Sequence, residues 1–354
     1  LSAARDTRYA CLTILLVLAL LGAGALFNYI INPFGLYDPP VIAGLNDRHP
    51  AAQRFPFLEK TAAVRRVQPD ILVTGSSRAD VCLDVKPAFF PGAAVYNFAL
   101  PAASMHEQLG QLQYAQSIHP LRQAIVTLDF FAFDARKKNN PDWDFTDADV
   151  DNTDLLSIDT FTASFRQLKY MQAPDRYPYT APNGTKIPND FIYTASKAGA
   201  AWPFSRTRYA DPVLNSATRQ VGSRALKDFS DMLAFARAQK IDLILVILPV
   251  HDVYLKMQDD THQTGLVEYW KKLLQERVRA EAEAANAAPY PFWDFSARST
   301  FTADAVPKTG DLTAQMEWFW DPSHCKSSLG DIVLERVLAL PEGDKYSNFG
   351  RRLM

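Results

Sequence analysis

An α/β fold is predicted by this sequence: a doubly wound, mostly parallel five-stranded sheet flanked by helices and preceded by one N-terminal transmembrane helix. Three observations predict it. Tyr9 to Phe27 carries no charge. After residue 70, short apolar runs recur with helical stretches between them, the pattern of buried parallel strands in βα units. The residues that follow those runs are mostly polar, as they are where an open sheet binds ligands outside the carboxyl ends of its strands.

The chain opens on Leu1 rather than Met, which reads as a trimmed start. The charge-free run is about 19 residues, and at about 1.5 Å each it spans about 28 Å, close to the hydrocarbon thickness of a bilayer. Arg5 and Arg8 precede it and Asn32-Pro33-Phe34-Gly35 ends it. The positive-inside rule then puts residues 1–8 in the cytoplasm, the span at 9–31 in the inner membrane, and the rest in the periplasm or its extracytoplasmic equivalent. A cleaved signal peptide is the competing reading, because Ala23-Gly24-Ala25 supplies small residues. The run exceeds the usual h-region of about 7–15 residues and Tyr29-Ile30-Ile31 continues it, which favours an uncleaved, single-pass anchor.

Residues 32–69 read as a connector punctuated by Pro39-Pro40 and His49-Pro50, with one helix-permissive stretch from Leu58 to Val67. The α/β domain is assigned to 70–345 and a C-terminal tail to 346–354. Its strands are expected at Asp70 to Thr74, Ala94 to Asn97, Ala124 to Leu128, Ile241 to Leu248 and Pro291 to Asp294. Helices are expected at Ser104 to Ile118, Ser223 to Gln239, Ser327 to Leu338, and Gly265 to Ala288, the last as a solvated cover helix. Residues from about 135 to 220, rich in Asp, Asn, Pro and aromatics such as Trp143, Phe145, Tyr170, Tyr177, Tyr179, Tyr193 and Trp202, read as an insertion beside the sheet. Those rings could stack on sugars or form a satellite core. Asn183-Gly184-Thr185 fits a glycosylation sequon, with a plain Gly turn preferred.

Composition narrows the function classes. Hydrophobic residues at 48% and charged residues at 21% exclude a disordered or low-complexity chain. Thirty-seven Lys and Arg against 39 Asp and Glu give a net charge of −2, which provides no basic field for nucleic acid. Three cysteines without C-x-x-C spacing offer neither a zinc ribbon nor a thioredoxin-type site, and no set of ligands implies a metal or other cofactor.

The strand ends carry Thr74-Gly75-Ser76-Ser77-Arg78, Asn97, Asp129, Pro249-Val250-His251 and Asp294, and Trp320-Asp321-Pro322-Ser323-His324 precedes the last helix. This inventory holds a nucleophile, a base and an orienting carboxylate. Ser77 would attack a carbonyl, His324 would take its proton, and Asp321 would fix the imidazole tautomer. The Ser77 N–H and a donor from the loop after the second strand, where Asn97 lies, would meet the oxyanion.

Gly75-Ser76-Ser77 after the first strand, Asn97 after the second and Asp321-x-x-His324 near the end together resemble the spaced blocks of the SGNH (GDSL-type) hydrolases. In detail the chain is similar to membrane-anchored SGNH-like proteins that work with membrane-bound O-acyltransferases, of the D-alanyl transfer and alginate O-acetylation type. The resemblance spans about residues 70 to 340 through four or five short segments. It implies a serine O-acyltransferase, of O-acetyl type, acting on a cell-surface or exported polysaccharide and fed by a membrane acyltransferase partner. Ser77 matches the nucleophile, Asp321 and His324 its dyad, and Asn97 the second block. Two positions depart from the pattern. Ala99-Leu100-Pro101-Ala102 replaces the hydrolases' Gly, although the Ala102 amide could still donate. Asp129 replaces an Asn, and an ionised carboxylate beside a developing oxyanion opposes hydrolysis unless it is protonated or turned away.

Other readings stand beside these. A membrane-tethered carbohydrate esterase shares the acyl-enzyme, and a non-catalytic scaffold subunit shares the fold. Ser76 is the rival nucleophile, with helix capping as its plain role. Arg78 could pair with Asp80 or Asp129, or hold a substrate oxygen. His251 is expected at the cleft rim or as a satisfied loop histidine. Trp320 reads as packing, and His49, His106, His119 and His262 as structure or surface. Cys82 and Cys325 follow Ser77 and His324 closely and read as two buried thiols, with a disulfide the alternative. Cys11 reads as packing within the membrane helix.

Overall fold

The computed structural model describes residues 2–145, 155–205 and 219–354. It opens with helix α1 (Ser2–Ile31), whose segment Asp6–Ile31 is long and apolar enough to cross a membrane and has no part of its most apolar stretch buried against the rest of the chain. Helix α2 (Pro56–Val67) begins on Pro56, whose missing N–H costs nothing in a first turn, and stops at Gln68 in the left-handed conformation. Its Phe57 and Val64 are buried in the main core, so the connector is packed against the domain it leads into.

The principal sheet contains β1 (Ile71–Thr74), β2 (Val95–Asn97), β3 (Gln123–Thr127), β6 (Asp242–Ile247), β7 (Phe292–Asp294) and β10 (Arg351–Arg352) in the order β10-β7-β6-β3-β1-β2. The first five in chain order are parallel, as expected. The sixth is a correction: the residues assigned to a tail add an antiparallel edge strand on β7. Two arginines give no apolar run, and what holds them is the Leu353 N–H donating to the Phe292 carbonyl at 2.7 Å, with Leu353 and Met354 packed on the core.

Strand residues alternate between two cores. Leu72, Ala124, Val126, Leu243 and Leu245 face α4 (Met105–Ile118), α7 (Ser223–Gln239) and α9 (Thr264–Ala284). Ile71, Val73, Ile125, Ile244 and Val246 face α3 (Ser77–Cys82) and α10 (Ser327–Val337). Burial on both sides is why these strands read as unbroken apolar runs. Helix α9 is more than a solvated cover, since Trp270, Leu274 and Val278 are fully buried and Lys271 pairs with Asp294 at 3.0 Å.

The insertion supplies α5 (Ile158–Met171), a hairpin of β4 (Tyr179–Thr180) and β5 (Lys186–Ile187), and α6 (Asn189–Ala198). Gly184, at φ +85°, lies so close to the Asn97 backbone that a Cβ there would come within 2.3 Å of its carbonyl oxygen. The Asn97 N–H donates to the Asn183 carbonyl at 2.8 Å, so this turn covers the otherwise open edge of β2. Phe145 fills the space over Gly110 and Trp143 stacks on Phe57, which makes these two rings core rather than a sugar platform. Parts of the predicted insertion, 146–154 and 206–218, lie outside the described residues.

Buried Glu59 accepts a hydrogen bond from the Thr180 hydroxyl at 2.7 Å. Burial pushes its carboxyl up to about 7, with Thr180 and Lys60 pulling it back. A folded-state pKa above the unfolded value means stability is lost as pH rises from 4.5 to about 7. His49, which burial pushes down to about 4, runs the opposite way, so the informative quantity is a difference between proteins. Denaturant titrations should find Glu59→Gln gaining on wild type by up to about 3 kcal/mol across that window.

Candidate active site

In the order β2-β1-β3-β6-β7 the chain reverses direction across the sheet between β1 and β3, and open sheets bind ligands at that crevice. Ser77 stands there, at the first position of α3. Gly75 is required by close approach, because a Cβ there would lie 1.9 Å from Thr127 Oγ1 on the adjacent strand. Ser76 is the N-cap: its hydroxyl accepts from the Arg78 N–H at 3.2 Å and donates to Asp129. That engagement leaves Ser77 as the serine of this turn whose hydroxyl meets His324.

His324, 247 positions downstream of Ser77, and Asp321 arrive on a hairpin of β8 (Phe319–Asp321) and β9 (His324–Cys325), in which the two are paired across the turn. This is how an Asp-x-x-His spacing brings the two side chains together. His324 Nε2 lies 2.9 Å from Ser77 Oγ, and His324 Nδ1 lies 2.9 Å from Asp321 Oδ2. A carboxylate only accepts, so the Nδ1 proton faces Asp321 and the Nε2 lone pair faces the serine hydroxyl. Burial works against the Asp321 charge, but His324, the Ser323 N–H and the Ser323 hydroxyl outweigh it and hold the carboxyl well below the usual range. Asp321 Oδ1 accepts from the N–H groups of Ser323 at 2.7 Å and His324 at 2.9 Å, which locks the turn.

Ser77, His324, Ser76, Arg78, Ala102, Asp129, Phe131, Tyr254 and Ser323 line one cavity of about 130 Å³. Ala102 adopts φ +57° on its wall. Neither its N–H nor that of Ser77 meets an acceptor among the described residues. Asp129 does not threaten an oxyanion as a bare charge: Arg78 pairs with it at 2.9 Å and lies over the Tyr254 ring. Burial disfavours the guanidinium charge, yet Asp129 and Tyr254 more than offset this and hold Arg78 above its ordinary value.

Two predicted site residues belong elsewhere. The fully buried Asn97 amide donates to the carbonyls of Ala79 and Leu83 at 2.9 Å each, tying β2 to α3 and leaving it no hydrogen for an oxyanion. His251 caps α8 (Asp252–Asp260): Nδ1 accepts from the Val253 N–H, Nε2 donates to the Asp304 carbonyl, and its backbone N–H donates to Pro322. It therefore braces the Asp321 turn instead of lining the rim. The cysteines are also corrected. Cys82 and Cys325 form a disulfide, tying the last residue of α3 to the residue after His324.

Ser323, Phe131 and Tyr254 were not among the sequence candidates. Ser323 had a signal, lying inside Asp-Pro-Ser-His, and its hydroxyl is 3.0 Å from both Asp321 Oδ1 and His324 Nδ1. Tyr254 had none. For Asp321→Asn, whose carbonyl oxygen can keep the turn but whose amide favours the wrong imidazole tautomer, ester turnover should fall by about 10⁴-fold with unchanged circular dichroism.

Comparison with family models, with curated proteins and with solved structures finds no match to this chain.

Proposed function

We propose that this chain is a membrane-anchored, extracytoplasmic, SGNH-like serine O-acyltransferase, of O-acetyl type, that modifies a cell-surface or exported polysaccharide through an acyl-serine intermediate. The observation that carries the reading is the continuous hydrogen-bonded line from Ser77 through His324 to Asp321, opening on a cavity sized for a small acyl group. Ser77 Oγ attacks the donor carbonyl while its proton passes to His324 Nε2. The Ser77 and Ala102 N–H groups receive the oxyanion, and collapse expels the donor's leaving group with the proton from His324. An acceptor hydroxyl, deprotonated by His324, then takes the acyl group and frees the serine. A membrane-bound acyltransferase supplies the donor. Holding both proteins on one membrane raises their effective concentration. The Cys82–Cys325 disulfide supports an oxidising compartment for this domain.

A carbohydrate esterase is the second reading, and the Arg78–Asp129 pair favours it, since a neutralised Asp129 no longer argues against hydrolysis. Turnover of p-nitrophenyl acetate by the full chain in detergent separates them. A transferase releases p-nitrophenol faster when an oligosaccharide is added and yields an acetylated sugar, whereas an esterase is indifferent to the sugar. Turnover equal to that of Ser77→Ala in every condition would contradict both and leave a scaffold.

A further inference from the structure

The exit of α1 is surrounded by exposed apolar side chains held at a fixed height. Counting about 20 residues of hydrocarbon span from Tyr9 reaches Asn28. At that level Phe27 packs on Phe161 and Phe165 of α5, with ring centroids 5.6 and 5.3 Å away. Asn28 Oδ1 accepts from the Ser164 hydroxyl and its amide donates to the Leu155 carbonyl, each at 2.8 Å. Helix α5 is thus clamped to α1 at the hydrocarbon boundary. Its outer face exposes Ile158, Phe161 and Phe165, with Ile158 at 80%, and Leu156 just before the helix is exposed as well. The Val41-Ile42 loop, 78% and 46% exposed, is held at the same height by Asn46, whose amide donates to the Ile30 carbonyl at 2.7 Å and whose Oδ1 accepts from the Ile42 N–H.

Beside α5 lies a cavity of about 470 Å³ walled by Phe34, Phe55 and Leu58, by Arg54 and Arg166, and by Asp159. Among the described residues neither arginine has a salt-bridge partner. Apolar walls with two arginines against a single aspartate match an acyl-chain root beneath an anionic headgroup.

We propose that α5 is a membrane-seated helix, its apolar face in the lipid, and that the Arg54–Arg166 cavity holds an anionic phospholipid headgroup. This rests on α1 being an uncleaved anchor. The consequence is a catalytic domain held at a set height and orientation on the bilayer, not swinging on a tether.

The test uses the full chain with Cys11→Ser, so that a single introduced cysteine can carry a fluorophore while the native disulfide stays closed. Labels at Ile158→Cys and, separately, Leu16→Cys are read in vesicles of phosphatidylcholine and phosphatidylglycerol with a lipid-borne and an aqueous quencher. Lipid quenching at both sites is the expected result. Lipid quenching at 16 with water quenching at 158, or with shielding of 158 from both quenchers by a protein partner or second copy, overturns the proposal and leaves the anchor intact. Absence of lipid quenching at both overturns the anchor as well. Each of Arg54→Gln and Arg166→Gln should lower the ratio of phosphatidylglycerol to phosphatidylcholine retained by the full chain about fivefold. An unchanged ratio overturns the headgroup site.

Discussion

Replacing Ser77 by alanine should lower the rate of ester cleavage or acyl transfer by about 10⁴-fold or more while leaving the melting temperature within a degree or so of wild type. The two halves of this expectation come from different atoms. The hydroxyl is the group on the His324 side of the cavity, so its removal eliminates the covalent route. The helix start does not depend on it, because Ser76, not Ser77, caps α3. Ser76→Ala should give the reverse pattern: a loss of about 1 kcal/mol of stability from the missing cap and a smaller loss of rate. Comparing kcat and unfolding midpoints for the two variants checks the assignment, and equal rate losses would undo it.

The Cys82→Ser/Cys325→Ser double variant should lose about 2–5 kcal/mol of stability, because the bond closes a loop of 243 residues and so constrains the unfolded chain strongly. Rate should fall too. The disulfide joins α3, which bears Ser77, to the strand that bears His324, and Gly330 of α10 comes so near this joint that a Cβ there would lie 1.7 Å from the Cys82 carbonyl oxygen. Without the bond the Ser77–His324 line is held by packing alone, and a displacement of about 1 Å is enough to cost about 10²-fold. Denaturant midpoints and kcat/KM under oxidising conditions read both effects. A double variant as stable and as active as wild type would contradict this role.

The apolar runs declared the five parallel strands, because a strand covered on both faces must be apolar throughout, and the segments that carry Ser77, Asp321 and His324 are short enough for their local geometry to follow from spacing. What escaped depends on distant partners. Asn97 sits at a strand end, where a side chain can turn toward the cleft or toward the helix beneath, and two carbonyls of the α3 segment decide the matter. His251 follows a strand end, where a histidine can face the rim or be satisfied within its loop, and three hydrogen bonds decide for the loop. The edge strand Arg351–Arg352 has no composition to announce it. Pairing of Cys82 with Cys325 had only the hint that each follows a site residue closely. The packing of α5 on α1 had one cue, a polar Asn28 at the end of an apolar helix, whose amide needs partners that another segment supplies.

The central claim is that Ser77 carries an acyl group, and intact-protein mass spectrometry after exposure to p-nitrophenyl acetate tests it most directly. The account predicts a single acetyl adduct that peptide mapping places on Ser77, present in Ser76→Ala and absent in Ser77→Ala. An adduct on Ser76, or one of equal yield in wild type and Ser77→Ala, would contradict it.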